Sequence, residues 1–272
     1  TLLNALLDEK LAIISPKVQT TRHRIKGILT TDQYQLVFSD TPGIIEPKYK
    51  LHEKMMQAVK SGLEDADLAL LIFDATDDLN EADIVFSSLH LKLPSLVIIN
   101  KIDTIKDKSQ LESISTFFKS KSYCKELIMI SALKRDGIEA LKKSILNVLP
   151  EGHAFFEGDD LSDLPTKFFV GELIREKIFH LYHEELPYHT AVLIRAFQEK
   201  STLIKITADI IVQRETQKAI IIGQGGKMIK ELGTLSRKEI ESFLGNKVFL
   251  ELFVKVRDKW RDNEIYLKEY GY

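Results

Sequence analysis

The sequence predicts an α/β domain, a mostly parallel sheet with helices on both faces, followed by a smaller α+β domain. Three observations carry this. Over residues 1–150 short apolar runs of strand length alternate with amphipathic helical patterns, the signature of a parallel sheet with helical crossovers. After Pro150 the pattern changes: a linker over residues 151–166, with Asp159, Asp160, Asp163 and Pro165, leads into a differently ordered domain over residues 167–272. Finally, 272 residues at roughly 150 per domain call for two cores rather than one.

Each element has its own warrant. Residues 1–7 place Leu3, Leu6 and Leu7 on one side of a helix with no preceding turn or N-cap, so the written chain is expected to start inside an element. Apolar runs follow at residues 35–38, 68–73, 96–99 and 126–130, succeeded by helical patterns at 51–63, 81–90, 110–118 and 138–148. The run at 68–73, Leu-Ala-Leu-Leu-Ile-Phe, lacks alternation, as expected of a strand covered on both faces. In the second part, Phe169, Leu173, Ile174, Ile178 and Leu181 recur every three or four residues and give a helix, ended by Glu-Leu-Pro at 185–187. Strands are expected at 190–197 and 203–212, the second alternating Ile204, Ile206, Ala208 and Ile210 against Lys205, Thr207 and Asp209. A short apolar run at 219–222, a glycine-rich turn at 223–226, a helix carrying Ile229, Leu232, Ile240, Phe243 and Leu244, and a strand at 248–256 complete the order α-β-β-α-α-β.

Composition narrows the function classes. With 44% hydrophobic and 29% charged residues the chain is an ordinary globular one, and no apolar run approaches the roughly 20 residues needed to span a bilayer. The single cysteine, Cys124, excludes an intrachain disulfide or a thiolate cluster and fits a reducing compartment. The net charge of -2 hides a contrast: residues 151–217 carry 7 basic against 12 acidic side chains, and residues 218–261 carry 10 against 5. A confined basic segment in a near-neutral chain points to a local polyanion-binding surface.

Four segments of the first domain point to a nucleotide. Asn100-Lys101-Ile102-Asp103 directly follows a strand, and a carboxylate at the carboxyl end of a parallel strand faces the crevice where such sheets bind ligands. The two oxygens of Asp103 match the N1-H and 2-amino donors of guanine, which adenine lacks. Asn100 can tie neighbouring loops together, and the Lys101 stem can cover a base face. Asp40-Thr41-Pro42-Gly43 also follows a strand; there Asp40 can hold Mg2+ through water, and the Gly43 amide can approach a γ-phosphate unobstructed. After the next strand, the amides of Ser131, Ala132 and Leu133 can donate to the guanine O6. In the polar stretch Gln19-Thr20-Thr21-Arg22, a hydroxyl of Thr20 or Thr21 can complete Mg2+ coordination.

Together with His23 and Arg24, these residues resemble the Era family of bacterial ribosome-assembly GTPases. The resemblance implies GTP and GDP as ligands, Mg2+ as cofactor, Thr21 as the magnesium-binding threonine, Asp40 and Gly43 in the second switch, and Asn100, Lys101 and Asp103 as guanine readers. It implies a P-loop, G-x-x-x-x-G-K followed by Ser or Thr, and a first strand ahead of Thr1; a polypeptide of these residues alone is therefore expected to handle GTP poorly. Ile44 stands where many regulatory GTPases carry a water-orienting glutamine, so hydrolysis is expected to be slow and to rest on positioning and electrostatics. His23 reads as a solvated loop histidine.

In the second domain, Ile222-Gly223-Gln224-Gly225-Gly226-Lys227-Met228-Ile229 contains the Gly-x-x-Gly turn with which K-homology domains admit a sugar-phosphate backbone to a helix N-terminus, read here as a strand-turn-helix context. Lys227 and Lys230 flank it. The resemblance extends over this domain and implies a type II K-homology domain binding 16S ribosomal RNA near its 3′ end. The implied setting is maturation of the small (30S) subunit by a cytoplasmic monomer with peripheral association to the inner membrane face. Trp260 reads as a packing anchor rather than a base-stacking residue. The competing reading is a ribosome-associated RNA-binding scaffold whose nucleotide domain does not turn over.

Overall fold

In the computed structural model the described residues are all those of the chain except Pro16, Val18, Asp159 and Ser201. They form two compact units, the first comprising Thr1–Lys10, Gly27–Ser39 and Val59–Leu161, the second Leu11–Lys26, Asp40–Ala58 and Ser162–Tyr272.

The chain begins with α1 (Leu2–Leu7), then β1 (Ile25–Thr30), β2 (Gln35–Asp40) and α2 (Lys50–Glu64). Next come β3 (Ala69–Asp74), α3 (Leu79–Ser88), β4 (Ser95–Asn100), α4 (Lys108–Lys119), β5 (Glu126–Met129) and α5 (Ile138–Leu146). Strands β3, β4 and β5 pair in parallel in that order, and β1 pairs with β2 in a separate two-stranded sheet. Because successive side chains of a strand point to opposite faces, β4 feeds two cores. Leu96 and Ile98 pack with Leu2, Leu6, Leu141 and Ile145, while Val97 and Ile99 pack with Phe86, Ile114 and Phe118. Helices therefore cover both faces of the parallel sheet, as the unbroken apolar runs required. Strand β1 has no counterpart among the sequence expectations. Its Gly27 allows α1 to lie against it, since a Cβ there would come within 2.6 Å of Leu7 and 2.8 Å of Leu3.

The second unit contains α6 (Thr166–Leu181), β6 (Ala191–Glu199), β7 (Ile204–Val212), α7 (Glu215–Ile222), α8 (Lys227–Leu244), β8 (Val248–Val256) and α9 (Glu264–Glu269). The sheet runs β6-β7-β8, antiparallel then parallel. Ile206, Ala208 and Ile210 of β7 join Ile174, Ile178, Leu232 and Ile240 in the core under the helices. Other sheet residues, Ala191 and Ile211, pack with Leu51 and Met55 of α2 and with Trp260, Leu267 and Tyr270. Trp260 is fully buried and its indole N–H donates to His189 O at 3.1 Å, so it is a packing anchor. One expectation is corrected: the apolar run at 219–222 is no strand but the last part of α7, whose start is fixed by Gln217 accepting from the Gln213 and Arg214 amides. On the other face of β7 Asp209 is buried, with its charge met by Arg195 and Lys255.

Candidate functional site

In the first unit the aligned ends of β3 and β4 set Asp74 beside Asn100. Asn100 Oδ1 accepts from its neighbour Lys101 N at 2.8 Å and from Ala132 N at 3.0 Å, tying the β4 and β5 loops together. Lys101 adopts a left-handed conformation, φ 62°, that turns the chain into a 3-10 turn, Ile102–Thr104. Its ammonium pairs with Asp74. Burial works against the charge of Asp74, yet hydrogen bonds from Lys101 and Thr76 hold its carboxyl below the usual range. Asp103 is exposed, and its Oδ1 accepts from Ser131 Oγ at 2.5 Å, which orients the carboxylate. The Ser131 hydroxyl in turn accepts from Lys134 N at 3.1 Å. A carboxylate so steered, next to an amide-rich turn, can accept two further hydrogen bonds side by side.

In the second unit Thr21 hydrogen-bonds Asp40 through their side chains. Burial pushes the Asp40 carboxyl up to about 6, and the Thr21 hydroxyl opposes this. The next residue, Arg22, is 4% exposed and donates to the carbonyls of Pro187 (3.1 Å), Tyr188 (3.0 Å) and Thr190 (2.8 Å). Gly43 is open, with nothing within 4 Å of where a Cβ would stand.

The glycine-rich turn, also in the second unit, joins α7 to α8. Gly223 has φ 71° and ψ 172°, and a Cβ there would lie 2.5 Å from Met228 Cγ, so only glycine fits. Gly225 and Gly226 are left-handed as well, at φ 60° and 76°, but no atom stands within 4 Å of their Cβ positions, so this face of the turn is open to a ligand. Helix α8 follows with no side-chain cap, leaving its first amides to an outside acceptor. Gln224, Lys227 and Lys230 are exposed around it, with Ile222 and Ile229 half-buried.

Known proteins place this arrangement. The 50S ribosome-binding GTPase family matches residues 1–101, and the KH domain family matches residues 185–261. GTPase Era of Geobacter sp. (strain M21) is 45% identical over 275 residues, covering 100% of this chain and 92% of the relative. GTPase Era of Thermoanaerobacter sp. (strain X514) is 42% identical over 276 residues, with 100% and 91% coverage. The chain belongs to the Era family of GTPases. Two Era crystal structures superpose with a TM-score of 0.95, each covering 99% of this chain and 93% of the other. One is Aquifex aeolicus Era, as a point variant, bound to GDP·AlF4- at 38% identity; the other, at 40% identity, is Era with MgGDPNP and nucleotides 1506–1542 of 16S ribosomal RNA.

As an Era-family member the protein is a GTP-binding and GTP-hydrolysing one. In this Era-type chain the structure brings together Asn100, Lys101, Asp103, Ser131 and Ala132 in one unit, and Thr21 and Asp40 in the other. Two of the amides assigned to guanine O6 are engaged internally: Ser131 N donates to Asp136 O, and Ala132 N to Asn100. Leu133 is 69% exposed. His23 is not a solvated loop residue. Its ring stacks on Tyr272 with centroids 4.3 Å apart and meets Phe168 edge-on at 5.2 Å, and burial pushes the imidazole down to about 4. Sequence reasoning missed Asp74, whose signal was its place at the end of an apolar strand in register with Asn100. It also missed the Glu172 and Arg175 pair, which in sequence looks like an ordinary helix face.

Proposed function

We propose that this Era-type GTPase uses its nucleotide state to govern engagement of 16S ribosomal RNA near the 3′ end during maturation of the small subunit. The observation that carries the reading is the open Gly223–Gly226 turn at the uncapped start of α8, edged by Lys227 and Lys230, in a chain that also presents a steered guanine-type acceptor at Asp103. Backbone approach to a single strand requires that open turn, and cationic side chains add a sequence-independent term. The RNA complex of the 40%-identical relative supports the choice of partner.

Within this reading Asn100 ties the loops, Lys101 covers the base, Asp103 reads guanine, and Ser131, Ala132 and Leu133 frame the O6 edge. Thr21, Asp40 and Gly43 face the terminal phosphate. A hydroxyl beside a carboxylate is a hard-oxygen donor set, which suits Mg2+, an ion that keeps several waters and takes few protein ligands. Thr21 rather than Thr20 is the ligand in this scheme, because its side chain faces Asp40. Mg2+ bound there would neutralise charge on the phosphate oxygens. The protein works in the cytoplasm as a monomer with peripheral contact to the inner membrane face; among the described residues no helix is long and apolar enough to cross a membrane.

The test is filter binding of a single-stranded RNA with the 16S 3′-end sequence, across a salt series, in the full-length protein. Gly226→Asp puts a carboxylate against the phosphate path and should abolish binding while leaving GTP affinity unchanged. Lys227→Ala should weaken binding less and lower the salt slope by roughly 0.7. Wild-type RNA affinity in folded Gly226→Asp protein would move the RNA surface elsewhere.

A further inference from the structure

Ile14, Lys17, Thr20 and His23 each meet α6. Ile14 N donates to Glu176 Oε2 at 3.1 Å, and Ile14 O is 2.9 Å from His180 Nε2. The Lys17 ammonium donates to Phe179 O at 2.7 Å and to Tyr182 O at the carboxyl end of the helix, where a cation is favoured. At Thr20, Arg175 is decisive. It is 1% exposed, and its Nε and Nη2 grip both oxygens of Glu172 at 2.7 and 2.5 Å. A guanidinium fixed by a bidentate carboxylate has its remaining hydrogens aimed in set directions. One of them, on Nη2, donates to Thr20 O at 2.5 Å.

That carbonyl belongs to the peptide bond whose N–H is that of Thr21. The bond is planar and trans, so holding Thr20 O fixes the plane and points the Thr21 N–H the opposite way. Immediately beyond Thr21, the Arg22 guanidinium is locked onto three carbonyls. Thr21 is thus fastened on both sides, and its side chain turns to Asp40.

We propose that Arg175, steered by Glu172, is a positioning residue for GTP hydrolysis, setting the Thr20-Thr21 peptide so that the Thr21 hydroxyl and amide meet the terminal phosphate end of the nucleotide. This rests on the reading of Thr21 given above. The residue lies in the helix that opens the RNA-binding half of the sequence, so α6 acts as a splint for a GTPase switch. Losing one charge-assisted hydrogen bond is expected to slow turnover roughly tenfold to hundredfold.

The experiment uses the full-length protein with Arg175→Lys, which keeps the charge opposite Glu172 but loses the planar fork, and Glu172→Gln/Arg175→Met, which removes both buried charges together. Circular dichroism and melting establish which variants are folded. The expected result is a fall in single-turnover GTP hydrolysis and in affinity for a non-hydrolysable GTP analogue, with GDP affinity within twofold of wild type. Thr21→Ala separates the two ideas. If Arg175 acts through Thr21, the loss caused by Arg175→Lys will be smaller in a Thr21→Ala background than in wild type, because only the Thr21 amide then remains to be misplaced. A normal rate in Thr21→Ala overturns the reading of Thr21; a large loss in Thr21→Ala together with a normal rate in folded Arg175→Lys or Glu172→Gln/Arg175→Met protein overturns the positioning role. Equal losses of GDP and analogue affinity overturn it too, because they would mark a merely structural residue.

Discussion

Replacing Gly223 by alanine should damage the protein more than the same change at Gly226, although the two stand three residues apart in one turn. At Gly223 the backbone, φ 71° and ψ 172°, lies in a region essentially reserved for glycine, where another residue costs about 1–3 kcal/mol. The added methyl would meet Met228 Cγ at 2.5 Å, Met228 Cβ at 2.8 Å and Met228 N at 3.1 Å. The Cβ and the amide belong to the first turn of α8 and cannot swing aside as a side-chain tip can, so overpacking adds to the strain for a total of order 3 kcal/mol. Gly226, φ 76° with open space at its Cβ, carries only the left-handed penalty of roughly 1–2 kcal/mol. Trp260 is the single tryptophan and is fully buried in the same unit, so its fluorescence reports this unit's urea transition. With a urea slope of about 1–3 kcal/mol per molar, Gly223→Ala should unfold roughly 1 M earlier than Gly226→Ala. Coincident transitions would refute the claim that Gly223 is a packing glycine and its neighbours are ligand-facing ones.

Asp103→Asn should weaken GTP binding by about 1.5–3 kcal/mol and improve xanthosine triphosphate binding, measured by calorimetry; equal GTP affinity would remove Asp103 from base reading. Ser131→Ala should produce a smaller loss with the same base preference, because it frees the carboxylate without removing it. Burial lowers His23 and His189 from 6.5 to about 4, so the unfolded chain binds more protons between those values and stability falls as pH drops from about 6.5 toward 4. His23→Phe keeps the stack on Tyr272 and should lose about 1–2 kcal/mol less than wild type between pH 7 and pH 5 in urea titrations. An unchanged pH dependence would show that His23 titrates normally.

The alternation of strands and helices was legible because β3 and β4 are covered on both faces and must be continuously apolar. Strand β1 was not, because Lys26 and Gly27 interrupt its pattern, and Gly27 serves the approach of α1 rather than strand propensity. The run at 219–222 misled because three isoleucines favour a strand, whereas the capping contacts of Gln217 start a helix upstream. The loops bearing Asn100, Asp103 and Ser131 were readable from fixed offsets after strands, and the structure ties them together through Asn100 and Ser131. No offset announces that Glu172 and Arg175 are buried. Their burial comes from a segment some 150 positions away, and only the fold brings Thr20 against them.

The division of β4 between two cores has a bearing on quality control. A slip of one position would send Leu96 and Ile98 to the layer built for Val97 and Ile99, and would rotate Asn100 to the wrong side of the sheet. A misregistered molecule therefore forfeits its loop clasp along with its packing. The same four side chains therefore set both the packing of the sheet and the placement of the Asn100 clasp.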